Sequence, residues 1–366
     1  MLKRFIVKNF KNFKEELIFD LTNSRDYQWN DNLVKNNIIN KAIIYGKNNS
    51  GKSNLGAAIM DITTHLSDNF STNRLYNCYI NGNSIENDVC FCYEFLFNDA
   101  ALIYKYKKDR DRKLISEELS HDGKVIFKYN YIDNLYENNI EAAKNIDLSK
   151  RNQDISMLKY LYRSINYFEN DHPLKLLFEY VNHMLWFRCL KENEFLGLMQ
   201  GGEIIDDYII KQGLLKQFED FLKSMGQNYN LIEYENLGKS IIGVKYGRTV
   251  APFSQVCSTG TSSLLLFFYW MKHSDKISFL YLDEFDAFYH YELSYNIVKY
   301  INNDSTYQAV LTTHNINLLD NDLMRPNCYY IIENDKIESI DRKTQKTIRE
   351  THNLEKMYLG GEFVNE

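Results

Sequence analysis

No run of eighteen apolar residues occurs in the 366-residue sequence, so no segment is expected to cross a bilayer as a helix. The opening Met1-Leu2-Lys3-Arg4-Phe5-Ile6-Val7-Lys8-Asn9 lacks the long apolar centre of a secretory signal, so a cytoplasmic protein with no membrane partner is expected. Six cysteines (Cys78, Cys90, Cys92, Cys189, Cys257, Cys328) are scattered without a C-x-x-C pair, which argues against a zinc site or a disulfide framework and for reduced thiols. Proline is scarce, at 3, beside 28 Tyr and 22 Phe, a skew that reads as the codon bias of an AT-rich genome. Nor is there an excess of positive charge: the formal net charge is -6, so the chain is no polycation and any DNA contact must be local. The dense basic run, Lys105 to Lys113, is interrupted by Asp109 and Asp111 and reads as a solvated hairpin tip, with a phosphate-contacting patch as the competing reading.

What is present is an organising motif. Gly46-Lys47-Asn48-Asn49-Ser50-Gly51-Lys52-Ser53 fits G-x-x-x-x-G-K-[ST], the P-loop pattern. The apolar run Ala42 to Tyr45 before it reads as a buried strand, and Asn54 to Met60 after it opens a helix continuing through Ile62. Glycines let successive backbone N–H groups converge on phosphate oxygens, and the helix points its positive dipole end at the same anion. Lys52 is then expected to reach the β- and γ-phosphates and Ser53 to take one Mg²⁺ position, while a chance Gly-rich turn is the bland alternative.

The length suits one large α/β domain with an insertion, or two domains, and 44% hydrophobic content supplies a core. Residues 1–139 read as an N-terminal lobe. It holds an antiparallel strand pair ahead of the P-loop and a meander over Val89–Phe97, Leu102–Lys107 and Lys124–Tyr131, with turns at Asn98-Asp99 and His121-Asp122-Gly123. Residues 140–230 carry helix-period spacing (Leu158, Leu161, Tyr162, Ile165; Leu174, Leu177, Phe178, Val181, Leu185) and read as a helical insertion. No heptad register persists there, which excludes long coiled-coil arms. Residues 231–366 read as the C-terminal lobe, beginning with short strands to Tyr246 and turns at Gly238 and Gly243.

In that lobe Ile277 to Glu284 is an apolar strand ending in two acids, the form of a Walker B element. Asp283 is expected to hold Mg²⁺ and Glu284 to polarise the attacking water. Gln308 to His314 is another buried strand ending in a histidine, which suits a γ-phosphate sensor. A solvated strand end and a satisfied core histidine are the bland readings; the ordered combination with the P-loop weighs against them. Cys257-Ser258-Thr259-Gly260-Thr261 precedes an apolar helix, another anion-binding device.

That last stretch resembles the signature loop of ABC-type ATPases, keeping Ser258 and Gly260 of the usual L-S-G-G-Q. The whole order resembles the prokaryotic ABC-type ATPases of the OLD and abortive-infection group, relatives of the heads of chromosome-structuring (SMC) and double-strand-break repair proteins. The matching stretches are Asn9-Phe10-Lys11-Asn12-Phe13, Asp283 to Tyr291, Thr312-Thr313-His314-Asn315 and the tail Tyr358 to Phe363. Two departures stand out. The lobe-linking glutamine is missing between Gln28 and Gln153, leaving Gln153 as the candidate, and Tyr289 and Tyr291 replace the usual leucine and proline.

The resemblance implies an α/β P-loop NTPase of ABC-ATPase type with an antiparallel β-subdomain and a helical insertion. It implies ATP and Mg²⁺ as cofactors, with Gly46, Lys47, Asn48, Asn49, Ser50, Gly51, Lys52, Ser53, Asn54, Ser258 and Gly260 at the nucleotide, Ser53 and Asp283 at the metal, and Glu284 and His314 catalytic. It further implies a homodimer or higher oligomer in which the signature loop of one protomer completes the site of the other. The ATPase would then control a separate effector, a nuclease or toxin, since the residues after His314 leave no room for an added nuclease domain and Glu333, Asp335, Glu338 and Asp341 read as surface charges. A repair ATPase gripping DNA directly is the alternative, followed by a small-molecule phosphotransferase and, last, a transporter subunit.

Overall fold

The computed structural model describes residues 1–68, 76–149, 152–188, 195–197, 205–236, 238–287 and 289–363, with only the backbone of 188 and 195–197. Cys189 and Phe288, both part of the sequence reading, lie outside the described residues. In chain order, β1 (Leu2–Lys8) and β2 (Leu17–Asp20) pair antiparallel, and β3 (Val34–Lys35) and β4 (Ile38–Ile39) form a short ladder. Next come β5 (Lys41–Tyr45), α1 (Lys52–Met60) and α2 (Thr63–Leu66), then β6 (Asp88–Phe97), β7 (Ala100–Asp109), β8 (Leu114–His121), β9 (Lys124–Asn130) and β10 (Leu135–Asn138). Helices α3 (Met157–Ser164) and α4 (Pro173–Asn182) lead to β11 (Met184–Arg188) and β12 (Phe195–Gly197), followed by α5 (Ile205–Lys211) and α6 (Leu215–Ser224). The rest comprises β13 (Leu231–Asn236), β14 (Lys239–Tyr246), β15 (Thr249–Pro252), α7 (Phe253–Val256), α8 (Thr259–Met271), β16 (Phe279–Asp283), α9 (Tyr291–Asn302), β17 (Gln308–Thr313), β18 (Tyr329–Glu333), β19 (Lys336–Ser339) and α10 (Leu354–Leu359).

Two seven-stranded sheets carry the architecture. One is antiparallel, in the order β10-β9-β8-β7-β6-β1-β2. The other runs β12-β11-β16-β17-β5-β18-β19, parallel from β11 to β18 and antiparallel at its two edges. Strands β5, β16 and β17 are buried at every position, as expected of a parallel sheet covered on both faces, and this is why their central residues read as apolar runs. Helix α1 is held between the sheets: the Tyr281 hydroxyl of β16 donates to Lys52 O at 2.6 Å, and that of Tyr93 on β6 donates to Ala58 O at 2.9 Å.

Several sequence expectations are corrected. Leu185 belongs to β11, a strand of the parallel sheet beside β16, and not to a helix; a short apolar run is equally compatible with either element. Strand β8 was not anticipated, because its inward-facing Glu117 breaks the apolar alternation. Gly243 lies inside β14, where a Cβ would meet Tyr234 at 2.7 Å, while Gly238 does make the turn (φ 75°). Of the basic run, Lys105 and Lys107 point outward but Lys108 is buried against Asp61 at 2.6 Å. Asp341 is buried as well, accepting hydroxyls from Ser24 and Ser339, so it is no surface charge.

Candidate nucleotide site

Because β5, β16 and β17 run parallel, their C-terminal ends open on one edge of the sheet, the place where open α/β sheets put ligands. Thr313 is in register with Tyr45 and Leu311 with Leu282, so the turns that start at Gly46, Glu284 and His314 are neighbours although they lie far apart in sequence. Lys52 is buried, with its ammonium donating to Gly46 O at 2.8 Å and Lys47 O at 3.3 Å. The ring Nε2 of His314 stands 3.0 Å from the same ammonium and 4.0 Å from Glu284 Oε1. Burial lowers the pKa of Lys52, against the attraction of Glu284, Asp283 and Asp286. Burial, then the Lys52 charge, also lowers that of His314, which favours a neutral ring able to accept from the ammonium.

The loop itself is shaped by close approach. Gly51 has φ 102°, and a Cβ there would meet Asn12 Nδ2 at 2.7 Å and the Phe13 ring at 2.8 Å. The Asn9-to-Phe13 stretch therefore braces the P-loop, and Asn12 Oδ1 also accepts from Asn54 at 2.6 Å. Lys47, Asn48 and Asn49 are exposed, Ser50 and Ser53 half-buried. Gly56 lies against the Tyr281 ring, which a Cβ would meet at 2.5 Å. This explains a glycine inside a helix, where it ordinarily costs about 1 kcal/mol relative to alanine. Tyr281 and Gly56 were missed in the sequence; the available signal was that Tyr281 shares a strand face with Asp283, two residues on.

Asp283 is wholly buried at the end of β16, and Glu284 follows at φ 49°, a backbone conformation non-glycine residues seldom adopt. Asp286, also not anticipated, accepts from Thr313 Oγ1 at 2.5 Å, and burial raises its pKa. A cavity of about 470 Å³ is lined by Asn48, Glu284, Asp286, Ala287, Tyr289, His314 and Asn315. Ser53 lies in the first turn of the helix that packs on β16, the strand ended by Asp283. Among the described residues no three His, Cys, Asp or Glu side chains form a metal cluster. One hydroxyl and one carboxylate fit a hard cation that takes its remaining ligands from phosphate and water.

Two predicted positions stand apart. Ser258 is the N-cap of α8, its Oγ accepting from Thr261 N at 3.2 Å; it is exposed, and the 257–261 loop contributes nothing to the lining of the cavity. Gln153 is remote in role, bordering another surface cavity with Lys113, Tyr131 and Ile132 while its carbonyl accepts from Leu114 N at 2.9 Å. On the side of β16 away from β17 the flanking strand is β11, ending at Arg188 in register with Asp283.

Among solved structures the chain is similar to SMC head domains. The SMC head bound to the C-terminal winged-helix domain of ScpA has 14% identity and a TM-score of 0.48, covering 93% of this chain and 98% of its own. The SMC head domain from Thermotoga maritima has 15% identity and a TM-score of 0.46, covering 92% and 97%. The SMC head with an extended coiled coil bound to the C-terminal domain of ScpA, from Pyrococcus furiosus, has 12% identity and a TM-score of 0.45, covering 93% and 97%. No curated protein matches the chain. Residues 41–320, which contain the P-loop, both acidic and histidine strand ends and the α8 loop, match the family described as "AAA domain, putative AbiEii toxin, Type IV TA system". With its P-loop strand, Walker B strand and histidine strand side by side in one parallel sheet, the chain belongs to that AAA family and has a P-loop NTPase fold.

Proposed function

We propose that this chain is a nucleotide-driven switch that binds and hydrolyses ATP, closes as an ATP-sandwiched dimer, and controls a separate effector in a prokaryotic defence system. The observation that carries the reading is the meeting of Lys52, His314 and Glu284 at one sheet edge, with Ser258 exposed on a loop that does not line the cavity there. Lys52 and the loop from Gly46 to Ser53, with Asn54, bind the phosphates. Ser53 and Asp283 hold Mg²⁺, which when bound offsets the charge of the phosphate oxygens. Glu284 accepts the proton of the attacking water, and His314 contacts the γ-phosphate edge once Lys52 has turned to the nucleotide. Ser258 and Gly260 are free to meet the phosphates held by a second protomer, which makes the pair two-fold symmetric. The defence role and the separate effector extend the sequence resemblance to the abortive-infection group; the family description itself names a putative AbiEii toxin and a Type IV TA system.

The test separates loading from closure. Glu284→Gln should bind ATP, turn it over very slowly and accumulate a dimer by light scattering, because an amide cannot take the water's proton. Adding Gly260→Asp should abolish that dimer and leave ATP binding intact, since its carboxylate would face the partner's phosphate. A dimer that persists contradicts the sandwich, and wild-type turnover by Glu284→Gln places the base elsewhere. Purified protein should hydrolyse ATP without degrading DNA or RNA; nuclease activity from this chain alone would remove the need for a separate effector.

A further inference from the structure

The acid that ends β16 and the one that follows it are tied to the neighbouring strand by one side chain that the proposed chemistry does not use. Thr312 is fully buried in β17. Its hydroxyl donates to Asp283 Oδ1 at 2.9 Å and accepts the backbone N–H of Glu284 at 2.7 Å. Its carbonyl accepts the next N–H, that of Phe285, at 3.3 Å. One residue thus engages three consecutive positions of the Walker B turn, including the one with φ 49°. A left-handed glutamate persists only where its surroundings hold it, and such backbone gathers at functional sites. A hydroxyl has one proton, and here it points to the carboxylate, so the lone pairs remain for the Glu284 amide. The neighbouring Thr313 does a different job, donating to Asp286 and accepting from Asn315 N at 2.9 Å.

We infer that Thr312 is the positioning residue of this site: it sets the rotamer of the Asp283 carboxylate for the cation and turns Glu284 to face the cavity. The inference rests on reading Asp283 as the cation ligand and Glu284 as the base. Partners that orient metal-binding and catalytic carboxylates typically account for a 10- to 100-fold effect. A valine has the shape of threonine without the hydroxyl, and a serine keeps the hydroxyl without the methyl, so the two variants separate orientation from packing.

The experiment measures ATP affinity by calorimetry with and without Mg²⁺, then kcat and KM, for the full chain and for Thr312→Val, Thr312→Ser, Asp283→Asn and Glu284→Gln. Thr312→Val should lose the gain in ATP affinity that Mg²⁺ confers, keep its metal-free affinity, and drop in kcat by roughly 10- to 100-fold with little change in KM. Thr312→Ser should recover most of both losses. Thr312→Ala provides the same hydroxyl deletion if the valine variant melts early. Wild-type Mg²⁺ dependence and kcat in a folded Thr312→Val, or a serine variant as impaired as the valine, would overturn the inference alone. Wild-type behaviour of Asp283→Asn and Glu284→Gln as well would overturn the site reading and this inference with it.

Discussion

The parallel sheet keeps its charged side chains at the ends of its strands, and the antiparallel sheet keeps some of its own in the interior. Around the P-loop, Lys52, Glu284 and His314 are drawn together at a cavity mouth, and Glu284 and His314 retain 23% and 40% side-chain exposure. In the antiparallel region Asp61, at the end of α1, accepts from Lys108, Tyr106 at 2.8 Å and Tyr79 at 2.8 Å, all of them buried. Glu117 of β8 likewise takes Tyr104, Tyr131, Ser156 and the Leu158 N–H at the start of α3, and burial still raises its pKa. A buried charge is tolerable when every partner is supplied, and the antiparallel sheet supplies them through tyrosine hydroxyls. A site for an anionic ligand needs the opposite, charges whose partners can be exchanged. The contrast meets in α1, whose first residue is bonded to Tyr281 of one sheet and whose C-cap Asp61 is bonded into the other.

Removing one charge from each region gives the largest expected effects, of opposite kinds. Lys52→Ala should abolish ATP binding in calorimetry while leaving the thermal midpoint nearly unchanged, because the ammonium is desolvated and its direct hydrogen bonds go to two carbonyls and a histidine. Asp61→Ala should strand the Lys108 ammonium in the interior and cost about 3–5 kcal/mol in urea unfolding. Asp61→Leu combined with Lys108→Met should recover part of that loss, and Tyr79 and Tyr106, left without their acceptor, set the remainder. Loss of stability in Lys52→Ala, or its absence in Asp61→Ala, would dissolve the distinction between the two regions.

A smaller effect concerns His65, buried in the antiparallel region with its Nε2 3.0 Å from the Tyr104 hydroxyl. Burial, then Lys108 and Lys159, lowers its pKa well below the ordinary 6.5. The folded chain keeps the ring neutral while the unfolded chain protonates it below that value, so the unfolded state binds the extra proton. Stability therefore falls as pH drops through 6.5, at up to about 1.4 kcal/mol per pH unit for this one group. His65→Gln should flatten the acid limb of urea midpoint against pH; an unchanged slope would mean that His65 protonates in the fold. The smallest effect should come from Glu118→Ala, which removes a partner of Lys128 at 3.2 Å on the outer face of the same sheet. Both side chains reach solvent, and less than about 1 kcal/mol is expected in the same unfolding assay.

The strand, loop and helix around Lys52 were legible because the phosphate cradle uses residue types and spacing that depend on nearest neighbours. The Walker B and histidine strands were legible for a related reason, since a doubly covered strand is a simple apolar run. Legibility failed where a partner distant in sequence supplied what a residue lacked. Lys108 read as part of a solvated run because Asp61 lies 47 residues away, and Asp341 read as a surface acid because Ser24 lies 317 residues away. Strand β8 was hidden by Glu117, whose inward carboxylate is satisfied by α3 and two tyrosines.

The P-loop, the acids at 283 and 284, the histidine at 314 and the α/β class could be read from the residues alone, because each is a local pattern of chain geometry and chemistry. That these ends share one edge comes from the assembled fold, since it follows from the parallel order β16-β17-β5 and its register. The assembled fold also decides which residues frame them. Tyr281 and Gly56 carry no motif, and Thr312 stands in the Thr312-to-Asn315 match without a role of its own; their roles arise because a hydroxyl, a phenol and a missing Cβ fall within hydrogen-bonding or contact distance of a neighbouring element once the sheet is assembled.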